Sequence, residues 1–95
     1  MMMQNERKQY EIRIYGRVQG VGFRFAARNK ATELGLHGWV ENLRDGSVRC
    51  AVQGAASSCN AFIRWCNTGT GYSWVERTEV TEKEPEVLHG FRIRY

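Results

Sequence analysis

The chain has 95 residues, 42% of them hydrophobic, and a formal net charge of +4. That suffices for one compact domain with one core and is too little for two. No apolar run approaches the ~18 residues of a membrane span, the first eight residues lack the apolar segment of a signal peptide, and so modest a charge favours anionic partners without singling out nucleic acid. The composition points to a cytoplasmic domain with no membrane attachment.

Residues 1–8 show no periodicity and read as a flexible tail, which leaves residues 9–95 as the single domain. Tyr10, Ile12 and Ile14 then alternate with Glu11, Arg13 and Tyr15, the period of a strand with one buried face. A turn marked by Gly16, Gly20 and Gly22 follows. Phe23, Ala27, Ala31 and Leu34 recur at helical spacing, which predicts a helix over 23–34 stopped by Gly35.

Two β-prone runs, 37–43 and 47–53, flank Arg44-Asp45-Gly46, and Asp-Gly between such runs signals an antiparallel hairpin. Cys59, Phe62, Ile63 and Cys66 fall at i, i+3, i+4 and i+7, predicting a second helix over 55–67 with Ser57 or Ser58 as N-cap. Residues 72–83 read as a strand whose alternation slips between Val75 and Val80, as at a bulge. After a turn at Glu84-Pro85-Glu86, Phe91, Ile93 and Tyr95 alternate with Arg92 and Arg94 in a last short strand.

The order β-α-β-β-α-β with an additional short strand predicts an α+β, ferredoxin-like two-layer sandwich. Its two helices lie on one face of a mainly antiparallel sheet. Which of the last two strands completes the core sheet stays open. Cys50, Cys59 and Cys66 contain no CxxC, and neither His37 nor His89 is at ligand spacing from them, so no metal site is expected. Seven residues of helix separate Cys59 from Cys66 by about 10.5 Å, beyond the ~7 Å reach of a disulfide. Free thiols acting as small buried hydrophobes are the expectation. Trp39, Trp65 and Trp74 read as core or sheet-face residues.

In this topology the third strand lies between the first two and antiparallel to both, so the first two strands end at the same edge. The glycine loop and Asn42 then face each other across one strand, about 10 Å apart. Loop amides, the N–H groups of the following helix and the Arg24 fork could hold an anion there, with the Asn42 amide opposite. Plainer readings exist for each residue. Glycine turns are common, the spacing G-x3-G-x-G is neither a dinucleotide fingerprint nor a P-loop, and Asn42 could simply shape the hairpin. Arg24 is less easily dismissed, because a cation is misplaced at a helix N-terminus unless an anion is present.

The blocks Gly16-Arg17-Val18-Gln19-Gly20-Val21-Gly22-Phe23-Arg24, Gly38-Trp39-Val40-Glu41-Asn42-Leu43 and Asp45-Gly46-Ser47-Val48 resemble the acylphosphatase family. Val52-Gln53-Gly54 and Phe91-Arg92-Ile93-Arg94-Tyr95 extend the likeness to nearly the whole chain from Tyr10. The resemblance implies a small ferredoxin-like hydrolase that cleaves the carboxyl–phosphate bond of small-molecule acyl phosphates without metal or cofactor. It implies Arg24 as the phosphate-binding arginine and Asn42 as the residue that orients water. The phosphate loop corresponds to Arg17, Val18, Gln19, Gly20, Val21 and Gly22, with Gly16 opening it. Departures fall before Tyr10, in the second helix and between Tyr72 and Gly90, away from those positions. A monomer is expected.

The alternative is a noncatalytic module on the same scaffold that binds nucleic acid or a phosphate ligand. RNA-recognition domains of this topology carry aromatic and glycine residues in a set pattern on the third strand. Ser47-Val48-Arg49-Cys50-Ala51-Val52 lacks it, so nucleic acid is not the favoured partner.

Overall fold

The structure, a computed structural model, describes residues 6–95. Its elements run β1 (Arg7–Arg17), α1 (Phe23–Glu33), β2 (His37–Asn42), β3 (Val48–Ala55), α2 (Ala56–Thr68), β4 (Trp74–Lys83) and β5 (Phe91–Arg94). The five strands form one sheet in the order β4-β1-β3-β2-β5. β3 is antiparallel to both β1 and β2, as expected, and β5 is parallel to β2. The open question about the last two strands is thereby answered. β4 completes the core sheet beside β1, and β5 is the added strand at the β2 edge.

The alternating faces sort cleanly. Ile12, Ile14, Val40, Val48, Cys50 and Val52 point to one side of the sheet, where Phe23, Ala27 and Ala31 of α1 and Cys59, Phe62 and Cys66 of α2 close over them. Trp65 adds aromatic contacts to Phe23 and Phe62 at centroid distances of 5.4 and 5.7 Å. All three cysteines are buried and free. Trp39 lies on the helix-free face of the sheet, with the Arg94 guanidinium 4.0 Å from its ring centroid, whereas Trp74 is largely exposed on β4.

The segment read as a tail needs correction at its end. Arg7 and Lys8 belong to β1, paired with Ala55 and Gly54, while residues 1–5 lie outside the described residues. Backbone pairing holds Arg7 and Lys8 in the ladder, and that pairing needs no apolar side chain. The same extension replaces the expected serine cap of α2. Its N-cap residue is Ala55, without a side-chain cap, and the Ala56 N–H donates to the Glu6 carbonyl at 2.9 Å.

The slip in β4 is a bulge. Tyr15 pairs with Arg77 and Gly16 with Val75, so Glu76 is the extra residue. Gly16 has φ 135°, and a Cβ there would collide with the Trp74 carbonyl. This glycine therefore serves the β1–β4 junction, and the loop proper starts after Arg17. Since β4 and β5 sit at opposite sheet edges, residues 84–90 cross the helix-free face. Gln53 and Gln9 hold this crossing: Gln53 Nε2 donates to the Glu86 carbonyl, and the Glu86 N–H donates to Gln9 Oε1 at 2.8 Å.

Candidate active site

Between β1 and α1 the chain must reverse direction within residues 18–22, and two αL glycines accomplish it. Gly20 and Gly22 have φ of 74° and 78°, a region that other residues enter at a cost of roughly 1–2 kcal/mol. A Cβ at either would meet nothing within 4 Å, so conformation and not crowding demands glycine. Gly22 is also the N-cap of α1. No side chain caps this helix start, and its first turn holds no acidic residue. The early N–H groups, and the positive end of the helix dipole, thus open at the loop.

The loop is tied to the β2–β3 hairpin by Gln19, whose Nε2 donates to the Leu43 carbonyl at 2.7 Å and to the Ser47 carbonyl at 2.9 Å. Val18 is buried in the core beneath it. Val21 packs against the core edge, and Arg17 is the exposed last residue of β1. The side chains of Val18, Gln19 and Val21 are thus committed to the fold, which leaves their backbone groups as the candidates for ligand binding.

Val18, Gly20, Gly22, Phe23, Arg24, Phe25 and Asn42 line a cleft of about 140 Å³. The structure thus brings together the glycine loop, Arg24 and Asn42, the three parts that the sequence placed at one sheet edge. Asn42 pairs with Val48, which pairs with Ile14, so Asn42 belongs to the row of side chains directed toward the helices. Its Oδ1 is buried and has no hydrogen-bond partner among the described residues. A buried amide oxygen left without a partner costs about 1–3 kcal/mol, a cost that a bound donor such as water removes.

Arg24 is held from the other side. Its Nη1 donates to the Arg94 carbonyl at 3.2 Å, and its Cζ lies 4.9 Å from the centroid of the Tyr95 ring. One edge of the guanidinium is thereby fixed by β5 and the C-terminal residue, leaving other donors of the fork for the cleft. Nothing local to α1 announces these contacts, since Arg94 lies 70 residues along the chain from Arg24 and Tyr95 follows it. Phe23 and Phe25 are further cleft residues missed at that level. Phe25 had a signal: it is a large apolar residue off the buried stripe of α1 and next to the loop. Among the described residues, no carboxylate and no histidine lines the cleft.

A larger cavity of about 440 Å³ lies between β2, β5 and residues 87–89. It contains neither the glycine loop nor Asn42, and its size does not make it the reactive site. Among the described residues, no three His, Cys, Asp or Glu side chains are grouped as a metal site.

The acylphosphatase family model matches residues 10–93, which spans every element except the first residues of β1 and the last of β5. The chain belongs to the acylphosphatase family. The acylphosphatase of Thermococcus kodakarensis is 46% identical over 88 residues, covering 93% of this chain and 97% of that protein. The acylphosphatase of Trichormus variabilis is 43% identical over 81 residues, 85% of this chain and 80% of that protein. The crystal structure of acylphosphatase from Bacillus subtilis superposes with a TM-score of 0.90 at 38% identity, covering 93% of this chain and 99% of the other. The protein is thus a hydrolase of the acylphosphatase family with the family's ferredoxin-like fold, and its substrate is an acyl phosphate. No helix among the described residues is long and apolar enough to cross a membrane.

Proposed function

We propose that the cleft hydrolyses the carboxyl–phosphate bond of acyl phosphates by holding the phosphate and aiming water, with no metal and no cofactor. The backbone N–H groups of Arg17, Val18, Gln19, Gly20, Val21 and Gly22 cradle the phosphate oxygens. Arg24 neutralises the charge that develops on them, and Asn42 holds the attacking water through its amide. The observation that carries this reading is the buried, unpartnered Asn42 Oδ1 in a cleft whose other walls are the glycine loop and Arg24.

The chemistry explains why such a sparse site suffices. The leaving group is a carboxylate with a pKa near ~4, by analogy with side-chain carboxyls, so it departs unprotonated. A loose phosphoryl-transfer transition state demands positioning and stabilisation of the equatorial oxygens more than acid or base catalysis. The phosphate itself takes the proton of the attacking water. The site is built wholly from one chain, which supports a monomer, and the three free, buried thiols suit a reducing, cytoplasmic setting.

Release of inorganic phosphate from acetyl phosphate in excess chelator tests the reading. Turnover should be unchanged by the chelator and should fall about 10²–10³-fold in Arg24→Ala, as for loss of one preorganised charge-stabilising group. Arg24→Lys should be nearly as poor, because an ammonium cannot reproduce the planar fork. Asn42→Ala should lose kcat while still binding phosphate. A variant at Asn42 with wild-type kcat sinks the proposed role of that residue.

A further inference from the structure

Six large apolar side chains are exposed among the described residues, and Phe25 is the one among them that lines the cleft with Arg24 and Asn42. Phe25 is 54% exposed and takes no part in the hydrophobic core. Phe23, two residues earlier, supplies the buried contact of this helix turn, so Phe25 is not needed to close the core. Its exposed part is apolar surface that lines the same cleft as Arg24 and Asn42, where the apolar part of a ligand can cover it. The ring is also held in place: the Arg28 Cζ lies 5.2 Å from its centroid, one helical turn further along α1.

We propose that Phe25 is a specificity-determining residue that packs against the acyl group of the substrate and favours acyl phosphates with a ring or bulky apolar acyl part over acetyl phosphate. This rests on the placement of the phosphate between the glycine loop and Arg24 set out above. With the phosphate in the loop, the carboxyl carbon and its substituent must extend away from the buried Asn42 water position. In-line attack puts the leaving group opposite the water. Phe25, in the first turn of α1, lines the same cleft as the glycine loop and Arg24 and offers that substituent an apolar face. Arg28 then acts as a positioning residue, fixing the ring and not touching the reacting atoms.

The test compares kcat/KM for benzoyl phosphate with that for acetyl phosphate. In Phe25→Ala the benzoyl-to-acetyl ratio should fall about five-fold, the scale of one aromatic contact, through KM for benzoyl phosphate and not through kcat. Phe25→Tyr, which keeps the ring, should retain the wild-type ratio, and Arg28→Ala should lower it by less than Phe25→Ala. Phe25 is exposed and alanine is the better helix former, so folding is not at stake. An unchanged ratio in Phe25→Ala, whether both substrates fall together or neither does, overturns the proposal. If Arg24→Ala hydrolyses acetyl phosphate at the wild-type rate, the placement of the phosphate fails and this proposal falls with it.

Discussion

Gln19 shows how a single side chain turns a flexible glycine loop into a fixed one. Its amide bonds two carbonyls of the neighbouring hairpin, and each of those carbonyls also accepts a backbone N–H, from Gly46 to Leu43 and from Leu43 to Ser47. Gln19→Leu therefore leaves neither carbonyl wholly unpaired, and the loss should be about 1–2 kcal/mol, two modest hydrogen bonds. Urea unfolding measures that loss. The larger effect should be on catalysis, since a loop freed from the hairpin no longer presents its amides in one geometry, and steady-state kinetics should show KM rising more than stability alone explains. Arg24 and Asn42 were legible as candidate site residues, Arg24 because a cation is out of place at a helix start and Asn42 because the expected strand order sets it across β3 from the glycine loop. Gln19's clamp and the Arg94 and Tyr95 contacts to Arg24 were not legible, because those partners come from segments joined only in the folded chain.

At the level of elements, the β2–β3 hairpin carries Asn42 and depends on Asp45. The Asp45 carboxylate accepts the Ser47 hydroxyl at 2.6 Å and the Ser47 N–H at 2.9 Å, and it pairs with Arg13 at 2.6 Å. Hydrogen bonds from Ser47, with help from Arg13, hold its pKa down at about 2. Because the folded value lies below that of the unfolded chain, the contribution is complete above about pH 4 and is lost as pH falls toward about 2. Thermal melts of wild type and Asp45→Asn should therefore differ at pH 5 and converge by pH 2. Equal differences at both pH values would remove Asp45 as the source. The Asp-Gly signal for this hairpin was readable from sequence because turn chemistry is local. The Glu76 bulge is readable as a slip in alternation, whereas Gly16 reads as part of the glycine loop until the ladder sets it against the Trp74 carbonyl.

For the whole molecule, the core seals the thiols. Burial raises the Cys59 pKa to about 11, and burial together with the neighbouring Cys50 thiol raises that of Cys66. A thiol raised above its unfolded value favours the folded state only while the unfolded thiol stays protonated. Stability is therefore fully present below the ordinary thiol range and declines as pH rises from about 8.5 toward about 11. Cys59→Ala should flatten that decline in a series of melts from pH 8 to 11. Native protein at pH 8 should resist iodoacetamide, labelling only at the rate of global unfolding, and rapid labelling would show that the helices do not close over Cys59 and Cys66 as they do here.

Periodicity, turn chemistry and end effects act within a few residues, which is why the two helices, the hairpin, the buried stripes and the residue types of the candidate site can be read along the chain. The folded chain settles the sheet edges taken by β4 and β5, the extension of β1 to Arg7 and the contacts of Arg94 and Tyr95 with Arg24. Those outcomes depend on pairings across many tens of residues. Local preferences are silent about such pairings, and only the closure of one core around all five strands selects among them.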